Sequence, residues 1–207
     1  NPLVVSESGA IAMDIQVVLE RSKADKRYAH LAIHPYPWQW VRDVSLKNDI
    51  KVQLRPIRPE DAESIQSLVR HMSPESRYFR FMHTINELSP FMAAQFTKLD
   101  YDRQMAFAAT DEQDNLVGAC RYMMSNDRLT GDFGISISED WKGCGLATAL
   151  MRLLMEHAAA QGLQTLHGDV LRSNRPMQHL MQSLGFTSKY NPDDPEVLWY
   201  EFSLDKL

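Results

Sequence analysis

From Ile50 onward the sequence predicts an α/β domain of the α+β kind. A mixed, mostly antiparallel central sheet is flanked by helices in the order β-α-α-β-β-β-α-β-α-β-β. Three observations carry that prediction. Ser73-Pro74-Glu75 and Ser89-Pro90 are helix starts, a serine cap followed by proline at the first helical position. The apolar runs QMAFAATD and NLVGACRYMM flank a polar turn from Asp111 to Asn115, as in a hairpin. The stretch WKGCGLATALMRLLMEHAAAQG, Trp141 to Gly162, opens on two glycines and continues as a long amphipathic helix.

In chain order, residues 1–20 read as two short strands around Ser8-Gly9. Val4-Val5 and the alternation Met13, Ile15, Val17, Leu19 supply the β signal. Two strands alone are marginally stable and need a partner sheet. RSKADKRYAH is polar, and LAIHPYPWQW reads as an extended connector whose aromatics pack on a neighbour. A boundary near Ser45–Asp49 separates a tail and linker, 1–48, from a domain spanning 49–207. VQLRPIR is then a strand, and Pro59-Glu60-Asp61 opens a helix to about Met72. Residues 60–99 are helical in two or three pieces. After the hairpin, DFGISIS is a strand leading into the long helix, whose stripe of Leu146, Leu150, Leu153, Leu154 and Ala158 faces the core. TLHGDVL is a strand, Asn174 to Leu184 a helix, and FTSKY and VLWYEFSL close the sheet.

Composition narrows the function classes. Apolar residues are 44 % and charged residues 24 % of 207, ordinary for a globular protein. Acidic residues number 27 against 22 lysines and arginines, a net charge of −5 that argues against nucleic acid as the main partner. Cys120 and Cys144 have neither scaffold nor zinc-ligand spacing, which suggests a reducing, cytoplasmic setting. His30 and His34 lack acidic or cysteine partners nearby, so no metal is expected. No run has the roughly 18 apolar residues of a membrane span. The chain opens on Asn1-Pro2, as a piece cut from something longer would.

The glycine turn before the long helix is the chemical signal. A helix start with bare N–H groups and a positive dipole end is an anion site. KGCGLAT lacks the lysine-serine/threonine ending of a phosphate loop, and Thr148 stands where a dinucleotide fingerprint needs its third glycine or alanine. In DFGISIS, Phe133, Ile135 and Ile137 share one face while Asp132, Gly134, Ser136 and Ser138 share the other. A strand with a small-residue side lets a thin, amide-bearing ligand lie along its backbone and delivers a diphosphate to the helix mouth. Coenzyme A fits that description.

Here the chain resembles the GNAT acetyltransferase superfamily, whose acyl-CoA loop reads [Q/R]-x-x-G-x-[G/A]. The match is Lys142-Gly143-Cys144-Gly145-Leu146-Ala147, with lysine where glutamine or arginine is usual. Asn174, Met177, Leu180 and Leu184-Gly185-Phe186 resemble a second family segment. The resemblance covers about residues 50–205. NPLVV, HLAIHPYPWQW, LRPIRPEDA and SPESRYFRFM further resemble the bacterial Pat-type protein lysine acetyltransferases, in which an ADP-forming acyl-CoA-synthetase-like region precedes the GNAT domain. That resemblance implies that residues 1–20 end an ATP-grasp domain, that the upstream region is a partner, and that AMP-forming acyl-CoA synthetases are the acceptor class.

The expected activity is acetyl transfer from acetyl-CoA to a protein lysine by direct attack. At pH 7 only about one lysine in two thousand is neutral, so a general base is expected. Asp132 is the candidate: G-D-F-G resembles the x-E-F-A that carries the catalytic glutamate in Pat-type enzymes. Turn-finishing is its alternative role. Expected CoA contacts are Ile135, Ile137, Lys142, Gly143, Cys144, Gly145, Leu146, Ala147, Thr148 and Asn174, the last being either a ligand partner or a helix cap. Met181 stands where many relatives carry a tyrosine that protonates the leaving thiolate. Acetylation of a small amine or a protein N-terminus, and non-catalytic acyl-CoA sensing, are the alternatives.

Overall fold

The structure, a computed structural model, describes residues 3–7, 9–12, 34–190 and 194–207. The chain divides into two units, 1–35 and 36–207. Described residues of the first form a hairpin of β1 (Leu3–Ser6) and β2 (Gly9–Ala12), paired Leu3↔Ala12 to Ser6↔Gly9. The expected alternation at Met13–Leu19 and the His30 position lie outside the described residues.

The second unit is built on eight strands: β3 (Arg42–Ser45), β4 (Lys51–Pro56), β5 (Gln104–Thr110), β6 (Leu116–Met124), β7 (Thr130–Ile137), β8 (Thr165–Leu171), β9 (Thr187–Tyr190) and β10 (Val197–Ser203). Their order is β3-β4-β5-β6-β7-β8-β10-β9, and every neighbouring pair is antiparallel except β7 and β8. The predicted α+β class holds, and the element order holds with two additions, a third helix before β5 and a further strand at the sheet's edge. Arg42–Ser45, read from sequence as connector, pairs with β4 from Arg42↔Leu54 to Ser45↔Lys51. RDVS is too short and polar to register as a strand; an edge ladder costs little side-chain burial, so backbone pairing suffices.

Helices cover the two faces unequally. α1 (Ala62–His71), α2 (Pro74–Phe81) and α3 (Pro90–Thr97) accompany the face bearing Ala106, Ala108 and Ala119, where small side chains let them approach Ile65, Val69, Met72 and Leu88. α4 (Leu146–Ala160) and α5 (Arg175–Ser183) accompany the other face, with Phe107, Tyr122, Phe133 and Leu166. The predicted stripe of α4 is fully sunk: Leu146, Leu150, Leu154 and Ala158 are 0 % exposed. Burying four such side chains contributes several kcal/mol. Arg55 donates to both carboxylate oxygens of Asp61 at 2.7 and 2.8 Å, tying the start of α1 to β4.

Candidate functional site

The site begins where the sheet comes apart. β7 and β8 pair only from Thr130↔Thr165 to Asp132↔His167, yet β7 continues to Ile137 and β8 to Leu171. The outer ladders show which backbone groups face the gap. On β7, Ser125 N–H donates to Thr130 O and Ser138 N–H to Val117 O, so even-numbered residues bond β6. Alternation then turns the N–H and C=O groups of Ile135 and Ile137 towards the gap. On β8, Arg172 N–H donates to Glu196 O and Leu204 N–H to Gln164 O, which turns Asp169 and Leu171 the same way. Unpaired strand edges of this kind are receptive to an amide-bearing ligand.

The gap opens towards the mouth of α4. Gly143 and Gly145 have φ of +80° and +94°, backbone that a side chain would strain. Gly145 caps the helix with no side-chain hydrogen bond, so the first N–H groups lack the usual partner. The turn is held from behind, by the Lys47 N–H donating to Cys144 O at 3.1 Å and the Cys144 thiol donating to Trp141 O at 3.0 Å. The Lys142 ammonium donates to Glu139 Oε2 and Ser76 Oγ, both at 2.7 Å. Burial pushes the Glu139 carboxyl up, but the hydrogen bonds from Lys142, the Ser73 N–H and the serine hydroxyls outweigh it and hold it at about 2.

These features share one cleft of about 850 Å³, within the ordinary range for ligand sites. Of the predicted residues, Asp132, Ile135, Ile137, Lys142, Gly143, Gly145, Ala147, Thr148 and Asn174 line it. Cys144 and Leu146 do not. The Cys144 side chain is engaged with Trp141 and the Leu146 side chain is buried at 0 %, so both meet the mouth through backbone alone. Asn174 acts as a cap, its Oδ1 accepting from the Met177 N–H at 3.1 Å. Met181 is fully buried in the core.

Asp132 stands at the crotch of the splayed strands, with its carboxylate accessible from the cleft. Partial loss of solvation there pushes its carboxyl above the ordinary value, against the attraction of His167 and Arg80. His167 Nδ1 lies 4.0 Å from Asp132 Oδ1 and has no hydrogen-bond partner among the described residues. Its ring stacks on Trp199 at 4.3 Å. The sequence reading missed His167, as it missed Lys47, Ser76 and Arg80 as cleft residues. His167 shares the alternation of Asp169 on TLHGDVL, but only the β7–β8 register brings it opposite Asp132.

A parallel pair splayed over a glycine turn, with a helix mouth left bare beside it, suits a ligand that carries amides along its length and an anion at its end. The family model of the acetyltransferase (GNAT) domain matches residues 51–187. The chain belongs to the GNAT acetyltransferase family and is an acyltransferase. It is 33 % identical over 168 residues to acetyltransferase PA5475 of Pseudomonas aeruginosa, covering 80 % of this chain and 89 % of that protein. It is 24 % identical over 134 residues to acetyltransferase Pat of Mycolicibacterium smegmatis, covering 64 % of this chain and 40 % of that protein, so it spans less than half of Pat. The crystal structure of the GNAT domain of S. lividans PAT superposes with a TM-score of 0.77 at 26 % identity, covering 82 % of this chain and 99 % of that domain.

Proposed function

We propose that this chain transfers an acetyl group from acetyl-CoA to the side-chain amine of a protein lysine, with Asp132 as general base. The observation that carries this reading is the alignment of three features in one cleft: the carboxylate at the crotch, the free amides of Ile135 and Ile137, and the bare mouth of α4. A long, narrow, amide-bearing diphosphate fits that sequence of groups. Acetyl-CoA supplies an activated thioester there. Gly143, Gly145 and the first N–H groups of α4 hold its phosphates; the Ile135 and Ile137 backbone orients its amide arm.

Asp132 removes the proton that otherwise keeps a lysine cationic at neutral pH. Its raised pKa brings it nearer a base's working range, and His167 stands 4.0 Å from it. With Met181 in the core, no tyrosine acid comes from α5, and water completes the proton transfer to the thiolate. The resemblance of the sequence to Pat-type enzymes is the ground for proposing a protein lysine as acceptor, AMP-forming acyl-CoA synthetases as its class, a synthetase-like region as partner and a cytoplasmic setting.

Asp132→Asn should lower transfer at least roughly 10²-fold while acetyl-CoA affinity stays within a few-fold. Calorimetry with acetyl-CoA, followed by mass spectrometry of acetylated lysines on candidate synthetases, reads both quantities. Unchanged transfer by the variant removes Asp132 from the mechanism, and no heat of association with the parent overturns the cofactor assignment.

A further inference from the structure

Four arginines stand on or beside the face that carries Asp132, and three have partners in the chain. Arg70 donates to Glu87 at 2.8 Å, Arg77 to the carbonyl of Met72 at 2.6 Å, and Arg121 to Gln104 at 2.9 Å. Arg80 is different. Among the described residues its guanidinium has no hydrogen-bond or ion-pair partner, although it is only partly exposed. It lies flat on β7: a Cβ built on Gly134 would stand 2.6 Å from its Cζ and Nη2 and 2.8 Å from its Nη1. Glycine at 134 thus clears the seat that the guanidinium occupies. Phe81 and Phe96 wall it, their ring centres 5.4 and 5.7 Å from Cζ. Arg121, the cross-strand partner of Gly134, also stands over Phe96, 4.8 Å from its centre, so a second cation backs the first.

Burial, then the charge of Arg121, bring the Arg80 guanidinium down to about 10, against the attraction of the Asp132 carboxylate, which lies beyond ion-pair distance. A half-buried, seated cation whose donors find no partner among the described residues is set to receive an anion that enters the cleft. That anion is not the diphosphate of the proposed co-substrate. Gly134 precedes Ile137 by about 10 Å of extended strand, and the mouth of α4 lies beyond it. The intervening arm is uncharged. Arg80 lines the cleft together with Asp132 and Gly134, at the reacting end.

We infer that Arg80, backed by Arg121 and seated by Gly134, is a carboxylate-binding subsite beside Asp132, so that one of the two substrates meeting there carries a carboxylate. The guanidinium fork matches a carboxylate edge to edge, and a walled site makes each charge-assisted bond stronger than in water. The carboxylate has two sources, the far end of a dicarboxylic acyl chain or an acidic residue flanking the acceptor lysine. This inference rests on the acetyl-CoA reading above.

The test uses the full chain, its Arg80→Gln and its Arg80→Lys variants, in two arms. The first compares association of succinyl-CoA with that of acetyl-CoA by calorimetry. The second compares acetyl transfer to lysine peptides whose neighbouring residue is aspartate or asparagine. The parent should favour the carboxylate partner by about tenfold or more in one arm, which names the source. Arg80→Gln should bring that ratio near unity, and Arg80→Lys, which keeps the charge without the fork, should leave part of it. Should Arg80→Gln melt early by circular dichroism, the Arg80→Lys ratio decides. Ratios near unity in both arms of the parent, or a preference retained in full by both variants, overturn the subsite. No association of acetyl-CoA with the parent overturns the cofactor reading itself, and is visible separately.

Discussion

The mouths of α2, α3 and α5 are closed, and the mouth of α4 is open. At the first three, Ser73, Ser89 and Asn174 accept from the N–H of Ser76, Met92 and Met177, and a proline follows within two residues. At α4, Gly145 stands in the capping place with positive φ and no side chain to accept. Side-chain capping stabilises a helix by about 1 kcal/mol, so it is the default local solution. A helix that forgoes it at the end of a cleft keeps its donors and dipole for a ligand. The same unequal treatment separates Arg80 from its three partnered neighbours.

The largest way to break this comparison is to fill the open mouth. Gly145→Val puts a β-branched side chain at φ +94°. It should cost about 1–3 kcal/mol of stability and roughly 10²-fold in acetyl-CoA affinity. Thermal melting and calorimetry read the two losses, and undiminished affinity would mean that the open mouth is no different from the closed ones.

A smaller effect sharpens the contrast at the seam between two mouths. Glu139 accepts from the Ser73 N–H at 3.0 Å, at the start of α2, and from Lys142, at the start of α4. Its carboxyl is held near 2 against an ordinary 4.5. A depressed carboxylate contributes stability in full above its unfolded value and loses it as pH falls towards the folded one. Glu139→Gln should therefore lower Tm at pH 7, and the difference from the parent should close between about pH 4.5 and 2. A difference that persists at pH 2 assigns the loss to packing rather than charge.

The smallest effect comes from a closed mouth remote from the site. Ser89→Ala should cost about 1 kcal/mol, a fall of roughly 2–4 °C in Tm, and leave acetyl-CoA affinity unchanged. Any loss of affinity there would blur the distinction between structural and ligand-facing helix starts.

Much of the fold was legible because its signals are local. Ser73-Pro74 and Ser89-Pro90 announced helices that the structure begins at Pro74 and Pro90. TLHGDVL is a strand over the residues expected, Thr165–Leu171. What was not legible depends on partners distant in sequence. Arg42–Ser45 became a strand because β4 offered an edge, not because RDVS insists on one. Nothing local in SPESRYFRFM singles out Arg80; its seat is made by Gly134, more than fifty residues on.

Taken alone, the sequence determined the glycine turn, the bare helix mouth behind it, the two-faced strand before it and the family they belong to, since each rests on contiguous residues and backbone preferences. Only the tertiary structure decided that β7 and β8 part after Asp132, that His167 stands opposite the carboxylate, and that Arg80 lies over β7 with no partner among the described residues. Strand register and helix docking are settled by burial summed over the whole sheet, and no short stretch of residues contains that sum.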